Sequence, residues 1–84
     1  MCTMIAKRID VSGAARGGDE WLEVDHAYVS FDHPFHLQEE HTLNLDFVSE
    51  ESGPGARVSV ELTEADAREL MAALASALDQ ADRL

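Results

Sequence analysis

The chain has 84 residues, 45% of them hydrophobic, and a formal charge of -11 from 17 Asp and Glu against 6 Lys and Arg. That charge repels phosphate backbones and anionic lipid headgroups, so neither nucleic acid nor a membrane surface is an expected partner. The apolar content is too high for a disordered segment, and no apolar run reaches the roughly 20 residues that cross a bilayer.

A domain of this length buries only about 60–65% of the surface its unfolded chain exposes. Residues 1–84 are therefore expected to form one domain with a thin core, which a second copy in a homodimer would help to cover. The first apolar run is too short for a signal peptide. A single cysteine, Cys2, permits no intrachain disulfide and fits a reducing compartment. The expected location is cytoplasmic.

Residues 3–12 alternate loosely and read as a first strand, ending in a glycine-rich turn over Gly13–Asp19 that is not expected to continue it. Residues 21–32 carry Val, Tyr and Phe at strand spacing. Leu22 and Val24 have one parity there, and Ala27, Val29 and Phe31 the other, which predicts a bulge near Asp25-His26. Trp21, beside the glycines, reads as a partly buried anchor.

Pro34 is incompatible with a central strand position. Over residues 41–49, Leu43, Leu45 and Phe47 then alternate with Thr42, Asn44 and Asp46. Ser52-Gly53-Pro54-Gly55 marks a turn, and Val58, Val60 and Leu62 alternate after it, so strands three and four form a hairpin. Thr63 is placed to cap a helix whose first turn holds Glu64 and Asp66. Ala67, Leu70, Met71, Leu74, Ala77, Leu78 and Ala81 form its apolar stripe, expected to cover one sheet face. The fold expected is α+β, a four-stranded antiparallel meander with one C-terminal helix packed on one face.

Three of the four histidines, His33, His36 and His41, lie in one loop. In a meander that loop meets the helix N-terminus, with His41 on the helix side near Thr63 and Glu64, and with Cys2 arriving from strand one. His33, His36 and His41 are thus candidate catalytic or metal-ligating residues, for zinc or, with a carboxylate such as Glu40, non-haem iron. They could also act without metal as acid–base groups, with Cys2 as a possible thiol nucleophile. In the plainer reading they only solvate a loop shaped by Pro34 and Phe35.

The opposite sheet face, with Tyr28, Ser30, Asp32, Thr42, Asn44, Asp46, Ser59 and Glu61, either faces water, binds a ligand or meets another subunit. Tyr28, Asn44, Asp46, Glu64 and Cys2 are the candidate binding residues. Glu64 and Arg68 are spaced for an i, i+4 ion pair.

The segments Met1-Cys2-Thr3-Met4-Ile5, Phe31-Asp32-His33-Pro34-Phe35-His36, Glu40 to Phe47 and Gly53-Pro54 to Leu62 resemble a family of small uncharacterised proteins from actinobacteria. The resemblance spans nearly the whole chain and implies an intracellular protein, with no activity to transfer to any residue. Two functions are carried forward. One is a domain that binds a small molecule at the histidine loop, with proton-transfer, lyase or isomerase chemistry on a neutral or cationic substrate. The other is a non-catalytic protein-interaction module or dimeric accessory protein.

Overall fold

Four strands in chain order make one antiparallel sheet, seen in a computed structural model that describes residues 5–53 and 55–84. They are β1 (Ile5–Gly17), β2 (Glu20–Asp32), β3 (Thr42–Val48) and β4 (Arg57–Leu62), followed by helix α1 (Glu64–Ala81). A single 3-10 turn, Glu50–Ser52, lies between β3 and β4. The α+β meander expected from periodicity is the fold observed.

Register sorts the side chains. Ile5, Phe31, Leu43 and Leu62 are neighbours in one row across the sheet, and Arg8, Tyr28, Asp46 and Ser59 in another. Because facing residues in an antiparallel pair share a face, the first row belongs to the apolar side that looks toward α1. The second belongs to the polar side. The parity read from the sequence holds on both.

The first hairpin departs from expectation. β1 does not stop at Gly13 but continues to Gly17, and the turn is only Gly18-Asp19. Gly18 takes φ 75°, with Asp19 outside the positive-φ region, the sign pattern of a type II′ turn. The irregularity lies opposite Asp25, as anticipated, but between Asp10 and Gly13 the extra residue is in β1 and not in β2. The added twist of a bulge accompanies a hairpin that curls over the sheet. A Cβ on Gly17 would stand 3.4 Å from Cγ2 of Val58 on β4. Trp21, near the hairpin tip, is 68% exposed, not the partly buried anchor expected from its position.

Thr63 caps α1 as expected, its Oγ1 accepting the Asp66 N–H at 3.2 Å. The stripe on α1 covers the sheet only in part. No residue of the helix is buried, with Met71 62%, Leu74 56% and Leu78 67% exposed. The buried apolar residues among those described are Val24, Ala27 and Val48.

Candidate binding site

Glu61 organises the histidine loop. It stands on the polar face of β4, opposite Asn44, where its carboxylate accepts the main-chain N–H groups of Phe35 (2.5 Å), His36 (3.1 Å) and Leu37 (2.9 Å). Pro34 has no N–H, and the three residues after it point theirs at one acceptor, an anion-binding concavity filled from within the chain. The Leu37 N–H foremost, then those of Phe35 and His36, hold the Glu61 carboxyl below its ordinary range against desolvation, which pushes the other way. The His33 N–H closes the start of the loop on Asp32 Oδ1 at 2.8 Å.

This anchoring divides the three predicted histidines. His33 and His41 face each other on the apolar side with ring centroids 4.8 Å apart, and His41 also stacks on Phe31 at 5.7 Å. His33 Nδ1 lies 2.9 Å from the Glu40 carbonyl. His36 is exposed, and its backbone is held from the polar side by Glu61. The two stacked rings are inclined by 25°, and no third ligating side chain joins them among the described residues. Cys2 lies outside the described residues.

Phe31, on which His41 stacks, also lines an apolar groove of about 540 Å³ between the sheet and α1; His41 and His33 are not part of its lining. Phe31, Leu43 and Leu62 line it from the sheet, and Leu70 and Leu74 from the helix. Glu64 and Arg68 supply its charged groups and pair with each other at 2.9 Å. The meander sets the loop, anchored on Glu61, at the sheet edge where β4 passes into α1.

A second cluster, on the polar face, was not anticipated. The imidazole of His26 is held between carboxylates, with Nδ1 2.7 Å from Asp25 Oδ1 and 2.5 Å from Glu50 Oε1, and Nε2 3.0 Å from Asp10 Oδ1. Arg8 donates to Glu50 at 2.7 Å and through Nε to the Tyr28 hydroxyl at 3.1 Å. Its guanidinium is held protonated beyond the ordinary range, by Glu50 first and Tyr28 second. The Glu50 N–H, donating to both oxygens of Asp25, is the main cause of a lowered Asp25 pKa, opposed by desolvation and aided by His26 and the Glu51 N–H.

Asp25, His26 and Glu50 are the set of three ligating side chains that converge among the described residues. Arg8 already supplies the cation there, and Asp25 caps the 3-10 turn. An incoming metal ion would have to displace Arg8 and share the Asp25 carboxylate with the Glu50 N–H. Of the other candidate binding residues, Tyr28 belongs to this cluster, Asn44 Oδ1 accepts from the Thr42 hydroxyl at 2.6 Å, and Asp46 accepts from Ser59. The parity of His26 with Tyr28 was a signal in the sequence. That Arg8 and Glu50 meet there depends on register and on a long-range turn.

A family model described as a family of unknown function, DUF6295, matches residues 1–83. No curated protein and no solved structure matches the chain.

Proposed function

The chain belongs to the DUF6295 family, and on that premise we propose that the domain is a non-catalytic docking module whose working surface is the apolar groove between α1 and the sheet. One observation carries this reading: the helix stripe stays more than half exposed at Met71, Leu74 and Leu78 beside an open groove of the same chemistry. Contiguous apolar patches beyond a few hundred Å² on a small domain mark interaction sites. The polar face, by contrast, satisfies its own groups, with no buried side-chain donor or acceptor unpaired among the described residues. The lone cysteine supports a reducing, cytosolic setting.

A second reading, small-molecule binding with the histidines as acid–base groups, is favoured by the groove's volume. About 540 Å³ falls within the roughly 300–1,000 Å³ of ligand pockets, and one wall of it is Phe31, whose ring stacks on that of His41.

Nile red, a neutral dye that brightens in apolar surroundings, separates the two. At nanomolar protein, where protein partners are dissociated, the wild type should take up the dye, Leu74→Asp should abolish uptake, and His33→Ala/His41→Ala should leave it unchanged. Absence of uptake by the wild type overturns the docking reading. Loss confined to the histidine variant favours the small-molecule one.

A further inference from the structure

We infer that the occupant of the groove is a second copy of this chain, joined in a two-fold dimer with the α1 helices antiparallel; this rests on the docking reading above. Four observations converge. The first is extension: the radius of gyration is 14.3 Å, against about 12 Å for a compact domain of this length. The domain is elongated, and an open groove lies between α1 and the sheet.

The second is area. The exposed parts of Leu70, Met71, Leu74 and Leu78, with Ile5, Ile9 and Val60 on the same side of the sheet, amount to on the order of 600–700 Å² of mostly apolar surface. A standard interface takes about 800 Å² from each partner.

The third is self-complementarity. The stripe is a ridge and the groove beside it a furrow, both built from aliphatic side chains, and the stripe runs on through Leu78 beyond the groove's own lining, which ends at Leu74. A two-fold axis near Leu74, midway between Ala67 and Ala81, sets each ridge into the other copy's furrow, as an isologous interface requires.

The fourth is charge. From Leu70 through Leu78 the helix carries no ionisable residue on any face. With the dyad at Leu74 the charged residues are confined to the two ends, where Arg68 and Arg83 meet acidic groups of the other copy, while Asp66 also lies across from Asp82 and Glu69 from Asp79. The helix dipoles oppose each other in that arrangement as well. Each copy still carries -11, so salt, by screening the repulsion, should tighten the dimer.

Light scattering with the full chain at tens of micromolar tests the inference. The expected mass is 18.4 kDa, twice the 9.2 kDa of the chain. Leu74→Asp, which places a charge at the centre of the interface, should return the mass to 9.2 kDa with the far-ultraviolet spectrum of a folded domain, raising the dissociation constant by on the order of 100-fold or more. In a Cys2→Ser background, Leu74→Cys should oxidise to a disulfide-linked dimer and Ser59→Cys, on the polar face, should not. That pair of variants keeps the test open if Leu74→Asp fails to fold. A wild-type monomer that still takes up Nile red overturns the second copy and leaves the docking surface. A dimer that Leu74→Asp does not disturb, or that cross-links at position 59 and not at 74, places the contact elsewhere and overturns the inference too.

Discussion

The Leu37 N–H donates to a carboxylate oxygen of Glu61 at 2.9 Å, across 24 positions of sequence. Through it and its two neighbours one side chain on β4 fixes the loop that joins β2 to β3. Charge-assisted bonds of this kind are stronger than neutral ones. Glu61→Gln keeps the shape and removes the charge, so amide exchange at Phe35, His36 and Leu37 should accelerate while β3 and α1 stay protected. Unchanged exchange at those three amides would mean that the loop is held by other contacts.

The same carboxylate sets an acid response. Glu61 and Asp25 both have folded pKa values below their ordinary 4.5 and 3.8, so the stability they contribute is present above those ordinary values and is lost as pH falls through the lowered folded ones. The hydrogen bonds of the loop amides at 35–37 and of the Glu50 amide should persist at pH 4.5 and break only in more acidic solution. In Glu61→Gln the loop's transition should disappear and that of Glu50 remain. NMR titration reads both in one experiment.

Thr63 Oγ1 accepts the Asp66 N–H at the start of α1. Removing such a cap typically costs about 1 kcal/mol. Thr63→Ala should therefore lower the urea midpoint by a corresponding amount, and Thr63→Ser should leave it nearly unchanged.

Gly18 has φ 75° and no atom within 4 Å of the position a Cβ would take. Any loss on substitution is thus conformational and not steric. Gly18→Ala should destabilise by about 1–3 kcal/mol, and Gly18→Asn by a similar amount, because the first central position of a type II′ turn lies outside the left-handed α region that asparagine tolerates. No loss for either in denaturant melts would mean that the turn does not require glycine.

Arg8 lies 2.7 Å from Glu50 and 2.9 Å from His26. Arg8→Gln withdraws the resident cation from two of the three ligating groups. Titration calorimetry should find tighter Zn²⁺ binding in Arg8→Gln than in the wild type, and His26→Ala in the same background should abolish the gain.

Sequence alone determined the elements and their faces. Alternation at Leu43, Leu45 and Phe47, the turn at Gly53, the Thr63 cap and the 3.6-residue stripe on α1 are local consequences of backbone geometry, each legible within a dozen residues. Chain order then sufficed to bring the histidine loop to the helix start. Tertiary structure decided the rest. Glu61 as the loop's anchor, the parting of His36 from His33 and His41, the meeting of Arg8 with His26 and Glu50, and the continuation of β1 through its glycines all depend on register between distant segments. So does the gap between α1 and the sheet, because an apolar stripe specifies that a helix will be covered and carries no information about which surface covers it.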